Sequence, residues 1–370
     1  MIVEKIHLTN FRNLKDISFD FKENINVFVG KNGIGKTNVL EAIYISLVAS
    51  SFRQVKQEDF INFDESFAKV DIFVKEKGFE NKISFLYTED KKKVFKIDDI
   101  KIKSVNELYD FSNVIGFFPD ELKIITESPN FRRNFFDSFI MKMTKGYKQK
   151  LNLYRNVIFR RNMLLKGMNL SSYYKQEMNA LTKKLALLCY EISMERKKLI
   201  DLINMEINSI HQKLSGETLN IEYESILSDH SKSETECLKE ILENFTKTYK
   251  LDCESKTTSF GIHKENFKFV LNGNDAKSFS SQGQKRNIII TVKMCQKNIF
   301  EEYKGVKPII LLDDLFSELD ENRRYEILEY LTDNQVFITT TDKSFINDFK
   351  NINVIEMEKA RKERYEYKKN

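Results

Sequence analysis

The sequence predicts an α/β fold interrupted by a long helical insertion, and three observations carry that expectation. Residues 30–37 read GKNGIGKT, which puts Gly30, Gly35, Lys36 and Thr37 at the spacing of the Walker A phosphate loop. Between Gly167 and Gly216 no glycine or proline occurs. Far beyond that stretch, the apolar run KPIILLDD ends in Asp313 and Asp314, the acidic partner a phosphate loop needs.

Taken in order, IVEKIHLTNF and LKDISFDF alternate as two strands joined by a turn and lead into INVFV (25–29), a short β-branched and aromatic core strand. The loop then joins this strand to TNVLEAIYISLVAS, whose apolar residues fall at helical spacing. Gly30, Gly33 and Gly35 let the backbone aim its N–H groups inward, through Lys31, Asn32 and Ile34. The helix starting near Lys36, with Thr37 and Asn38 in its first turn, points its positive end at the same place. Lys36 would reach the β and γ phosphates of ATP, and the Thr37 hydroxyl would ligate Mg²⁺. Residues 68–105 read as a meander of hairpins, with Gly78 and the charged 89–93 stretch at turns. Residues 113–139, broken by Pro119 and Pro129, read as a connector.

In the insertion, Leu181, Leu185, Leu188, Ile192, Leu199 and Leu202 follow the alternating spacing of a helical seam. One helix over all of it would run about 70 Å at ~1.5 Å per residue, with Ser171 and Ser172 as a start inside it. After it, residues 260–279 return to hairpin patterning, with NGND as the turn. The expected division is an ATPase lobe at 1–130, a helical arm at 131–255, and the remainder of the ATPase head at 256–370.

Charged residues make up 31% and hydrophobic residues 41% of the 370 residues, the balance of a soluble globular protein. No run approaches the roughly 18 apolar residues of a membrane span, and MIVEKIHLTNF lacks the order of a signal peptide, so the expected location is the cytoplasm. Cys189, Cys237, Cys253 and Cys295 have neither paired spacing nor a histidine cluster, which suggests buried thiols. The net charge is only +5, but Arg132 to Lys198 holds sixteen Lys and Arg against four acidic residues. That asymmetry points to a polyanion partner or, equally plainly, to a solvated helical face.

Asp313, at a strand end, is suited to hold the Mg²⁺ shell opposite Thr37. Asp314 would orient or deprotonate the attacking water, and as the shorter acid would do so slowly. Lys36 and Asp313 lie 277 positions apart, which excludes compact kinases and small GTPases. Ser281, Gln282, Gly283 and Gln284 form a small polar turn at a helix head. They resemble the Leu-Ser-Gly-Gly-Gln signature of ATP-binding-cassette (ABC) ATPases, with Gln282 in place of the first glycine. SELD (317–320) resembles the dimer-facing loop of that family. Where its switch histidine would stand, after VFITT, this chain has Thr340 and Thr341, which can donate a hydrogen bond but carry no charge.

The succession NFRN, GKNGIGKTNVLEAIY, FFPDELKIITESPNFRRNFFD, YRNVIFRRNMLL, GIHKENF, SSQGQKR and LLDDLFSELD resembles the RecF family of SMC-like ATPases almost end to end. Two departures stand out: His263, Lys264, Glu265, Asn266 where the family has His-Arg-Asp-Asp, and Pro119, Asp120, Glu121, Leu122 where it has Pro-Glu-Asp-Leu. The resemblance implies an α/β ABC/SMC-type P-loop ATPase head with a short helical arm. It further implies ATP-dependent homodimers that sandwich two nucleotides between phosphate loop and signature, and DNA, duplex beside a single-stranded gap, held until slow hydrolysis releases it. The partners it implies are RecR and RecO, in the service of RecA, recombinational repair and the SOS response. An arginine in the first loop, here Arg12, approaches the nucleotide in such heads, or is an exposed turn residue. For DNA phosphates the candidates are Arg132, Arg133, Arg155, Arg160, Arg161 and Lys166, without base-reading motifs. The alternatives are another SMC-like head, of defence or chromosome-associated type, and a DNA-binding module that does not hydrolyse nucleotide.

Overall fold

The computed structural model describes residues 1–53, 56–76, 78–111, 113–167, 172–315, 319, 321–341 and 352–360. Its chain forms two compact units, residues 1–121 with 300–370, and residues 122–299. The division differs from the expected one, because residues 256–299 fold with the helical insertion. The reason is strand pairing: the strand at 266–271 finds its partner at 219–224.

Along the chain, β1 (Ile2–Phe11), β2 (Leu14–Asp20) and β3 (Ile25–Val29) precede α1 (Lys36–Val48). Then come β4 (Phe67–Glu76), β5 (Phe79–Thr88), β6 (Lys93–Ile97), β7 (Ile100–Lys101) and β8 (Val114–Phe117). The insertion holds α2 (Lys123–Thr126), α3 (Pro129–Met143), α4 (Tyr147–Lys166), α5 (Ser172–Ser215), β9 (Leu219–Glu224) and α6 (Glu234–Ser255). It continues with β10 (Asn266–Leu271), β11 (Asn274–Asp275), α7 (Ala276–Phe279) and α8 (Gln282–Lys304). The chain returns through β12 (Ile309–Asp313), α9 (Glu321–Leu331), β13 (Val336–Thr340) and β14 (Ile352–Glu356).

In the first unit the meander is a six-stranded antiparallel sheet, order β2-β1-β4-β5-β6-β7, and the nucleotide-side sheet is five-stranded, order β14-β3-β13-β12-β8. Every pairing in the latter is parallel, so β3, β12, β13 and β14 all end on one edge, where ligands of parallel α/β sheets bind. Helix α1 packs against β1, β4 and β5 and also against β8, β12 and β13. That double contact explains why Val39, Leu40, Ala42, Ile43, Ile45 and Leu47 are all buried rather than one stripe of them. The residues at 114–117 belong to this sheet as a fully buried strand, not to a connector; VIGF is apolar on both faces, as a sheet covered on both faces requires. Pro129 stands in the first turn of α3, where its missing N–H costs nothing.

In the second unit α4, α5 and α6 pack on one another. Helix α5 is continuous over 44 residues, about 66 Å at ~1.5 Å per residue, and starts at the expected Ser172; Ser171 lies outside the described residues. Its seam is buried at Leu185, Leu188, Ile192 and Leu199. The NGND turn joins β10 to β11, with Asn272 and Gly273 both at positive φ, as a two-residue hairpin loop demands. Among the described residues no helix is long and apolar enough to cross a membrane.

Candidate nucleotide site

The loop between β3 and α1 bends where glycine is needed: Gly33 and Gly35 have φ of 77° and 112°. A Cβ on Gly35 would lie 2.8 Å from Asn13 Oδ1. Asn13 braces the loop from outside, donating to Gly33 O at 2.9 Å and accepting from Asn38 Nδ2 at 2.8 Å. Lys31, Asn32 and Gly33 are exposed, while Ile34, Thr37 and Asn38 are half-buried. Lys36 is buried, and its Nζ donates to Gly30 O at 2.5 Å and Lys31 O at 3.0 Å. Burial lowers its pKa, against the opposing charges of Asp314, Glu358 and Asp313. The ammonium is folded back onto its own loop by contacts that phosphate oxygens can replace.

Strand β12 delivers Asp313, also buried, to the same place. Its Oδ1 accepts from Thr37 Oγ1 at 2.8 Å and from Thr339 Oγ1 at 2.8 Å. Burial raises the Asp313 pKa, opposed by these two hydroxyls and by Arg53. The donor set suits Mg²⁺, which takes one or two carboxylate or hydroxyl oxygens from the protein and fills its octahedron with water and phosphate. Among the described residues no cluster of three or more His, Cys, Asp or Glu forms a complete protein cage. Asp314 is exposed and sits at φ 50°, a left-handed conformation that costs a non-glycine residue energy and is held here by its N–H donating to Thr339 Oγ1 at 2.9 Å. The threonine that serves both acids is thus Thr339. Thr340 is buried and takes part through its carbonyl, which accepts from Gly30 N at 3.4 Å.

Arg12 is not an exposed turn residue, since its side chain is held on α1. Its Nε and NH2 donate to the two oxygens of the fully buried Glu41 at 3.0 and 2.9 Å, and its guanidinium lies over the Phe60 ring. With Asn13, Asn38, Arg53, Ile61 and Phe63 it lines a cleft of about 630 Å³, the size of a small-molecule site. Glu41, Arg53 and Thr339 carry no sequence signal of their own, because their roles come from neighbours distant in the chain.

The signature stretch lies in the other unit. Ser281 caps α8, its Oγ accepting from Gln284 N at 3.2 Å while its N–H donates to Gln284 Oε1 at 2.8 Å, a reciprocal capping box. Gln284 Nε2 also donates to Glu217 Oε1 at 2.7 Å. Ser281, Gln282 and Gly283 are exposed, so the free N–H groups of the helix start face solvent. Of SELD, Ser317, Glu318 and Asp320 lie outside the described residues.

Two candidates for DNA phosphates are corrected. Arg161 is 1% exposed, with NH1 at 2.7 Å from both Asp252 Oδ2 and Thr258 Oγ1. Arg132 is buried on Asn266 Oδ1 and the carbonyls of Ile124 and Glu127. Both hold helices together, since a buried guanidinium needs partners for its donors. Arg133 donates to Glu265 O at 2.7 Å and is half-buried. Arg155, Arg160 and Lys166 are exposed on α4. Of the two departures, Glu265 is buried and accepts from Ser193, Arg196 and Tyr223, and Glu121 turns back to accept from Phe118 N at 3.2 Å.

Residues 2–364 match the family model for the RecF/RecN/SMC N-terminal domain. The chain is 34% identical over 352 residues to the DNA replication and repair protein RecF of Clostridium beijerinckii, covering 94% of each. A solved structure of the recombination mediator protein RecF-ATP in the RecFOR pathway superposes with a TM-score of 0.86 at 34% identity, over 93% of this chain and 92% of that one. An SMC head bound to the winged-helix domain of ScpA, at 16% identity and a TM-score of 0.56 over 96% and 94%, shares the fold. With the phosphate loop, the paired acids and the capped signature helix in their expected order along an ABC/SMC-type head, the chain belongs to the RecF family.

Proposed function

We propose that this protein is a DNA replication and repair ATPase that works as an ATP-timed clamp. The observation that carries this reading is the convergence of Thr37 and Thr339 on Asp313 beside a Lys36 whose ammonium donates to two loop carbonyls. When MgATP arrives, Lys36 exchanges Gly30 O and Lys31 O for the β and γ phosphates, and the loop N–H groups take the remaining oxygens. Thr37 and Asp313 are the residues that would hold Mg²⁺, and the ion would supply charge neutralisation for the phosphate oxygens. Asp314, exposed at the strand end, orients the attacking water. Ser281 of a second copy, with the solvent-facing N–H groups behind it, completes the γ-phosphate shell and closes the dimer. DNA, duplex beside a single-stranded gap, is gripped in that closed state through backbone contacts, with Arg155, Arg160 and Lys166 contributing. Slow hydrolysis, stimulated by DNA, releases it. RecR and RecO are the partners this reading carries, and loading of RecA in recombinational repair and the SOS response is its outcome.

The test is light scattering on the purified protein with non-hydrolysable ATP, with and without a gapped duplex. The expected result is a dimer that needs nucleotide and binds DNA more tightly than the ADP or nucleotide-free form. Ser281→Arg should still bind ATP and stay monomeric. Normal dimers from that variant, or equal DNA affinity in all nucleotide states, would falsify the clamp. A module that binds DNA without turnover is excluded if wild type releases phosphate steadily and Lys36→Ala does not.

A further inference from the structure

β3 and β14 are parallel neighbours with Val29 opposite Glu356, so the residues two positions beyond each strand end meet as well. Those residues are Lys31, the second of the phosphate loop, and Glu358. Lys31 N–H donates to Glu358 Oε1 at 2.8 Å. On the other flank of β3, Gly30 N–H donates to Thr340 O of β13 at 3.4 Å. The entry to the loop is therefore pinned from both adjacent strands. Glu358 itself is anchored by Met357, whose side chain is fully buried in the core of this unit. The approach is close: a Cβ built on Gly30 would lie 2.8 Å from Glu358 Oε2 and 3.1 Å from Oε1.

We propose that Glu358 is a positioning residue of the nucleotide site, holding the first peptides of the phosphate loop in the shape that receives triphosphate, and that Gly30 lacks a side chain so that this carboxylate can reach the loop. The carboxylate is acceptor-only and receives a charge-assisted hydrogen bond, stronger than a neutral one. Its pKa is held below the ordinary carboxylate value, first by the Lys31 N–H and then by its own backbone N–H, with the charges of Lys31 and Lys36 adding. Glu358 also stands among the charges that oppose the burial of Lys36, so it supports the ammonium while the loop carbonyls hold it. Gly30 is not at positive φ, so alanine there meets an obstacle in the carboxylate rather than in its own backbone. Ile34 Cγ2, at 3.1 Å, is the flexible end of a side chain and can move.

The inference rests on the ATP reading for its second readout only. The first is hydrogen exchange of the 30–37 peptide in nucleotide-free protein: Glu358→Ala should speed exchange at its start on the order of tenfold, and Glu358→Gln, which keeps an acceptor, should stay within about threefold of wild type. The second is equilibrium binding of MgATP, where Glu358→Ala should weaken affinity about tenfold while kcat at saturation falls less than about threefold, and Glu358→Gln should restore most of the loss. Gly30→Ala should bind ATP poorly, and the double variant Gly30→Ala with Glu358→Ala should recover to the level of Glu358→Ala alone. Unchanged exchange in Glu358→Ala, or a Gly30→Ala defect of equal size with and without Glu358, overturns the assignment. If wild type binds no MgATP while the exchange difference appears, the nucleotide reading fails and the anchoring stands.

Discussion

Around the phosphate loop, Lys36 is satisfied by two backbone carbonyls and Asp313 by two hydroxyls. In the helical unit, Arg196 donates to both oxygens of Asp137, to Glu265 Oε2 and to Ile262 O at 2.7 to 2.9 Å, all buried. Tyr147 and Tyr223 close that second network. Both regions bury charge, but the first leaves its charges with partners a ligand can replace and the second directs four hydrogen bonds of Arg196 into the protein itself. The comparison teaches that a local excess of Lys and Arg is not a binding surface until burial is known. Of the basic residues between Arg132 and Lys198, Arg132, Arg161 and Arg196 are structural, whereas Arg155, Arg160 and Lys166 are exposed on α4 and open to a polyanion.

The largest expected effect is on turnover. Asp314→Asn should lower single-turnover phosphate release on the order of 10²- to 10⁴-fold with an unchanged melting temperature, because asparagine tolerates the left-handed backbone as well as aspartate does. A parallel loss of stability would mean the acid is structural, and the contrast between the two regions would collapse. Arg196→Met is the converse: it strands Asp137 and Glu265 in the interior and should cost about 3–5 kcal/mol in urea unfolding. A cost under about 1 kcal/mol would show the network to be dispensable.

A smaller effect depends on pH. His211, fully buried on α5, bonds Thr291 Oγ1 at 2.8 Å through Nδ1, and among the described residues its Nε2 has no partner. Burial pushes its pKa down to about 4. Because the folded value lies below the ordinary 6.5, the unfolded chain takes up the proton first. The contribution is intact above pH 6.5 and is lost as pH falls from there towards about 4, to a total of at most about 3 kcal/mol. Urea melts across that window should be less steep in pH for His211→Met than for wild type; equal slopes would remove His211 from the account. The smallest effect belongs to the exposed helix face. Arg155→Ala with Arg160→Ala should weaken DNA binding uniformly across sequences and reduce the salt slope by about one per residue. Arg161→Ala should instead lower stability, and an unchanged fold with weaker DNA binding would reverse the assignment.

Glycine spacing, strand alternation and the apolar run before Asp313 were enough to read the phosphate loop, the hairpin meander, the NGND turn and the long helix, because each is dictated by residues adjacent in the chain. The paired acids were legible for the same reason, as a strand end. What tertiary structure alone decided is which charges are spent inside. Arg161 and Arg160 are neighbours in sequence and differ only in the face of α4 they occupy, one against Asp252 and the other towards solvent. It also decided that residues 114–117 are a sheet strand, that residues 256–299 fold with the insertion, and that Thr339 meets Asp313 and Glu358 meets the Lys31 N–H. Parallel pairing brings the ends of β3, β12, β13 and β14 to one edge, and no local pattern records which distant residue will stand beside the loop once that sheet has formed.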